Sequence, residues 1–174
     1  MIFLHSSDTF LPMSDNSYSI RQAEFKDSES ITGLIRANSE QLVGRPLSDV
    51  IQNIDRFLVC EKDGELAGIV SWHILPEIGL PANPSVEIKS VAVEEAHRKC
   101  GVGHMLVSKA LERIALLHPS QVIVLTFYPE FFRKLGFSEV PKEKLMHKLY
   151  TGCISCTRYD SPFTCPEIAM ALKM

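Results

Sequence analysis

Arg98, Gly101 and Gly103 lie in the stretch SVAVEEAHRKCGVGHMLV, where an apolar alternation gives way to charged residues and then to an amphipathic run. Glycine permits backbone angles and close approaches that side chains forbid, and the first N–H groups of a helix have no internal acceptor. The amides of Gly101, Val102, Gly103 and His104 would therefore suit an anion such as a diphosphate, with the positive end of a helix dipole behind them and Arg98 alongside. Short Gly and Arg patterns also arise by chance, and the plain reading is then a helix start beside a solvated Arg. A second cluster is Cys153, Cys156 and Cys165, which supplies three of the four ligands of a structural zinc site, with His147 available as the fourth. One C-x2-C with a distant third Cys is a partial signal. Reduced structural thiols are the preferred reading, and no metal is assigned. The thiols of Cys60 and Cys100 take no role from spacing alone.

The elements that must hold these residues follow from period and punctuation. Ser17 to Ala23 reads as a strand, followed by a helix with Asp27 as N-cap and Ile31, Leu34 and Ile35 at helical spacing. Ser48 caps a second helix whose stripe is Val50, Ile51, Ile54 and Phe57. Two β-type runs flank Asp63-Gly64, the signature of a tight hairpin. The proline-bearing LPEIGLPANPS is a loop. VEIKSVAV alternates, with Glu87, Lys89, Val91 and Val93 on one face. A helix runs from Gly101 to Leu117 and stops at Pro119, QVIVLTF is a buried strand, and PEFFRKL is a helix opened by Pro129 and closed by Gly136. EIAMALKM is the last strand. The order β α α β β β α β α β, with room for one further strand, is a mixed α/β domain around one sheet.

The 174 residues, 45% of them hydrophobic and 22% charged, suit a globular domain with a substantial core. Residues 1–16 read as a poorly ordered N-terminal extension and 17–174 as a single domain. A net charge of −3 without a basic patch argues against nucleic acid. No apolar run approaches a membrane span, and the N-terminus lacks the pattern of a signal peptide, so the expected setting is the cytoplasm.

With an alternating strand before it and LGF ahead of a final strand, the R-x-x-G-x-G loop resembles the acetyl-CoA site of the GNAT superfamily of N-acetyltransferases, over Ser17 to Met174. The resemblance implies a GNAT-like mixed central β-sheet flanked by about four α-helices, with acetyl-CoA as cosubstrate. It places the pantetheine arm and diphosphate at Val91, Val93, Arg98, Lys99, Cys100, Gly101, Val102, Gly103 and His104. A narrower resemblance lies in DRFLVCEKDGELAG, EIKSVAV, LTFYPEFFRKLGF, HKLYTGCISC and CPEIAM, which look like the short, kinase-domain-free bacterial N-acetylglutamate synthases. That implies acetylation of the α-amine of L-glutamate, the first step of arginine biosynthesis, by direct transfer in a ternary complex. The expected partners are a small-molecule amine, L-glutamate, and a second copy of the chain in a homodimer.

The implied reaction needs a neutral amine, so a group must take a proton from the ammonium. Glu87 is the candidate base, against a plain Glu87-Lys89 neighbour pair. The amide of Val91 is the family-like donor to the thioester oxygen. Phe132 stands where many members carry a Tyr that protonates the leaving thiolate. Tyr128, four residues earlier, is the alternative, with a capping aromatic as its plain reading. Glutamate's two carboxylates call for cationic or hydrogen-bonding anchors. The resemblance offers Arg45, Lys89 and Thr126, and more weakly Arg158, which reads more simply as solvated. The competing readings are an acetyltransferase for another amino acid, a polyamine or a protein amine, and a non-catalytic acetyl-CoA-binding domain.

Overall fold

The structure, a computed structural model, describes residues 18–75, 84–153, 156 and 158–174. The expected N-terminal extension and most of the proline-bearing loop lie outside them. Seven strands form one sheet in the order β1-β2-β3-β4-β5-β7-β6. They are β1 (Ser19–Gln22), β2 (Phe57–Lys62), β3 (Glu65–Leu75), β4 (Ser85–Val93), β5 (Gln121–Thr126), β6 (Ser138–Glu139) and β7 (Ile168–Lys173). Every pairing is antiparallel except β4 with β5. The β2–β3 hairpin turns at Asp63 and Gly64, both at positive φ, as a two-residue turn between twisted strands requires. β6 is the extra strand for which the sequence left room.

Alternation along the strands sends side chains to two layers. On one face Leu58, Cys60, Val70, Val86 and Ile88 pack under α3 (Val102–Ala115), with Phe132 of α4 (Pro129–Arg133) in the same core. On the other, Phe57, Val59 and Ile69 meet Ile31, Leu34 and Ile35 of α1 (Ser28–Ala37) and Val50 of α2 (Leu47–Gln52). Leu145 joins Ile123 and Ala169 in a third cluster. It belongs to a helical segment the sequence reading did not anticipate: a 3-10 turn at Lys142–Leu145, then α5 (Met146–Lys148), then a π turn at Leu149–Cys153.

Three local expectations change. Asp27 occupies the N-cap position, but its carboxylate accepts bonds from Arg21 and from the Glu24 N–H and makes no side-chain cap to α1. α2 begins beyond Pro46 instead of being capped by Ser48. It ends at Gln52, where the Asn53 side chain bonds back to Asp49, leaving Ile54 in a 3-10 turn and Phe57 at the start of β2. On β4 the pairing with β3 slips: Ile69 opposes Ala92 while Ser71 opposes Lys89, so Ser90 and Val91 together face Val70. Ser90, at φ 50°, forms this bulge. Alternation restarts one step late. Val91 and Val93 therefore join the α3 side, leaving Glu87 and Lys89 on the opposite side.

Candidate active site

The bulge lies beside a second interruption of the sheet. β4 and β5 pair only over Ser85–Glu87 and Gln121–Ile123. Beyond that the strands part, and a cleft of about 680 Å³ opens between Ile88–Val91 on one wall and Val124–Tyr128 on the other.

Towards the end of β4 the cleft is lined by Val93, Arg98, Lys99, Gly103 and Phe131. Gly101, in the left-handed region at φ 84°, turns the chain into α3. The Met105 N–H is bonded to the Gly101 carbonyl at 3.0 Å, so the N–H groups of Val102, Gly103 and His104 precede the helix's first internal bond. A Cβ on Gly103 would sit 3.6 Å from the Phe131 ring and 3.7 Å from Val93. Any longer side chain there takes up space in the cleft. Arg98 is tethered to the Val93 carbonyl and to the Asn38 side chain, its charge left exposed. Free amides, a glycine with no side chain and two cations suit a diphosphate ester.

Towards the start of β4 the cleft is lined by groups of mixed charge: Glu87, Lys89, Thr126, Lys148, Cys153 and Glu167. Lys148 places its Nζ 2.7 Å from Oε1 and 2.9 Å from Oε2 of Glu87, and both side chains are over 90% buried. Burial pushes the Lys148 ammonium down, yet the charge and hydrogen bond of Glu87 outweigh it and hold the group above its ordinary range. Lys89 fares differently. Burial depresses it, Glu87 offsets part of that, and Lys148 and Arg45 add to the depression. Glu167 is pushed up, first by burial, against the Cys165 thiol bond and the charge of Lys148.

Of the residues singled out from sequence, the cleft gathers Glu87, Lys89, Val91, Val93, Arg98, Lys99, Gly103, Thr126, Tyr128, Arg158 and the three cysteines Cys153, Cys156 and Cys165. Tyr128 is half-exposed, its backbone N–H bonded to Thr126 Oγ1 at 2.9 Å. Phe132 is buried edge-on against Phe131 and Phe137. Arg158 donates to the Glu40 carbonyl at the rim. Arg45 stands outside the lining. Its guanidinium lies 4.8 Å over the Phe57 ring and bonds Asp49 and Ser71, whose hydroxyl reaches the Lys89 carbonyl. Through Ser71 it is linked to the backbone of β4. Cys100 and His104 are exposed, and Val102 is in the core. Among the described residues no group of three His, Cys, Asp or Glu is placed to hold a metal. Nor is any helix among them long and apolar enough to cross a membrane.

Sequence reasoning missed Lys148 and Glu167. Lys148 lies outside any periodic element and Glu167 is the first residue of the run read as the last strand; both fall in segments that carry the narrower resemblance, but neither was given a role, and the spacing K-x4-C-x2-C-x8-C-x-E ties them to the cysteines.

Comparison with known proteins places this geometry. The Acetyltransferase (GNAT) family profile matches residues 15–137. An uncharacterised N-acetyltransferase of Chlorobaculum tepidum is 28% identical over 153 residues, covering 87% of this chain and 93% of its own. An amino-acid acetyltransferase of Mycobacterium tuberculosis is 28% identical over 146 residues, 81% of this chain and 79% of the relative. The amino-acid acetyltransferase of Vibrio atlanticus is 30% identical over 129 residues, but this chain spans only 28% of that protein's length. Among solved structures, N-acetylglutamate synthase from Neisseria gonorrhoeae, complexed with coenzyme A and N-acetyl-glutamate, superposes with a TM-score of 0.71 at 21% identity. It covers 90% of this chain and 35% of its own. With a seven-stranded sheet split at β4–β5, a glycine-opened α3 and a family match over most of the described core, the chain belongs to the GNAT family and is an acetyl-CoA-dependent N-acetyltransferase.

Proposed function

We propose that the acceptor is an amino acid, L-glutamate, whose α-amine is acetylated by direct transfer within one cleft, as the first step of arginine biosynthesis in the cytoplasm. Lys89 carries this reading. Its ammonium lines the cleft and is largely buried, and among the described residues no hydrogen bond or ion pair is made to it. A charge taken from water without a partner is costly, and an incoming carboxylate would supply the partner. Arg158 at the rim offers a second cation for the other carboxylate. A polyamine would bring further positive charge to Lys89. The Mycobacterium tuberculosis and Vibrio atlanticus relatives, both amino-acid acetyltransferases, agree in substrate class.

The test is thiol release from acetyl-CoA with a panel of amino acids and polyamines, for the natural protein and for Lys89→Met. Glutamate should lead the panel. Lys89→Met should raise its KM by roughly 30-fold or more, with acetyl-CoA binding spared. Burial holds the Lys89 pKa below the ordinary lysine value, so the anion grip is present below that depressed pKa and is lost as pH rises through it. The KM of glutamate should therefore climb on the alkaline side in the natural protein and stay flat in Lys89→Met. Equal turnover of a polyamine would sink the substrate assignment.

A further inference from the structure

Glu87 is poorly placed to receive a second ammonium, because both its oxygens already face Lys148. Glu167 lines the same cleft, directly before β7. Among the described residues its carboxylate receives one side-chain hydrogen bond, from Cys165 Sγ at 3.5 Å, and no ion pair. Lys148 of α5, Glu87 of β4, Lys142 of the 3-10 turn, and Cys153 and Cys165 are the titratable groups that act on it. We propose that Glu167 is a further catalytic residue, the group that accepts the proton from the acceptor's ammonium, while Glu87 serves to hold Lys148.

The inference rests on the preceding reading only in that the acceptor arrives as an ammonium. The N–H bond breaks and its proton goes to a Glu167 oxygen. The freed lone pair forms the N–C bond to the acetyl carbon, and the C–S bond breaks with its electron pair on sulfur. A second amine proton ends on that thiolate, and Glu167 returns its own to solvent. Burial, which raises the Glu167 pKa, brings its basicity nearer to that of the amine it must deprotonate.

Thiol release should be followed across pH for the natural protein, Glu167→Gln, Glu167→Asp and Glu87→Gln. The acceptor is glutamate, or whichever amine the panel selects in its place. Glu167→Gln should lower kcat by roughly 10²- to 10⁴-fold with calorimetric acetyl-CoA affinity unchanged. The deficit should narrow as pH rises towards the amine's own pKa, because the acceptor then arrives neutral. Glu167→Asp should recover part of the rate with a displaced acidic limb. A near-natural kcat and pH profile in Glu167→Gln overturns the proposal. So does a pH-sensitive deficit found in Glu87→Gln instead. If Glu167→Gln fails to bind acetyl-CoA, Glu167→Asp decides: a natural profile there also overturns it. Selection of another amine over glutamate removes the substrate assignment alone, and turnover with no amine removes both.

Discussion

Lys148 and Glu87 are 61 residues apart in the chain, yet they form a buried ion pair in the cleft wall. Such a pair contributes little net stability over an apolar substitute, because taking both charges out of water costs nearly what their attraction returns. Breaking it is another matter. Lys148→Met would leave Glu87 buried without its cation and should cost about 3–5 kcal/mol, whereas Lys148→Met combined with Glu87→Gln should recover much of that. Denaturant unfolding of the two single variants and the double variant reads the coupling directly. Additive losses would show that the two side chains do not stabilise each other. The same pair explains why Lys89 and Glu167 stand out: once Lys148 and Glu87 satisfy one another, the remaining cation and the remaining anion of the inner cleft have no such partner among the described residues.

At the scale of elements, two glycines show how structural and functional constraint separate. On β3, a Cβ at Gly68 would come within 2.9 Å of the Ala92 carbonyl oxygen and about as close to Leu106 and Val102, so the strand, its neighbour and α3 meet there with no space for a methyl. At Gly103 a Cβ would meet only ordinary contacts, with the Phe131 ring and Val93. Gly68→Ala should therefore lower thermal stability by an amount equivalent to ~1–3 kcal/mol. Gly103→Val should leave the melting temperature nearly intact and weaken acetyl-CoA roughly ten- to hundredfold. Calorimetry and a thermal melt on both variants check the contrast, and a Gly103→Val protein that binds normally would remove the diphosphate from α3. The α3 start was legible because glycine, cation and period coincide within six residues. The β4 bulge was not, because Ser90 fits the alternation as well as any residue and only the pairing with β3 shows the slip. The setting of Arg45 was illegible for a related reason: a loop arginine gives no sign in sequence of the Phe57 ring it will cover.

At the scale of the whole molecule, the succession of strands and helices around one sheet could be read from period and punctuation, but the order in which the strands lie side by side could not. Nor could the inner wall of the cleft. It depends on Lys142 to Cys153, a run of 3-10, α and π turns with no repeating pattern, folded against β5 and β7 by Leu145. The parting of β4 from β5 has one more consequence. A strand in mid-sheet normally has its amides protected from solvent deuterium on both edges, but past Glu87 and Ile123 the facing edges of these two strands have no strand neighbour. Amides of Ile88 to Val91 and Val124 to Thr126 that point into the gap should exchange rapidly in the free protein, although they sit at the centre of the fold. Acetyl-CoA should slow them selectively, leaving the β2–β3 hairpin unchanged. A hydrogen-exchange map with and without acetyl-CoA would show the ligand as a protected seam running through the middle of the sheet, and uniform protection in both states would mean that the seam is closed in solution.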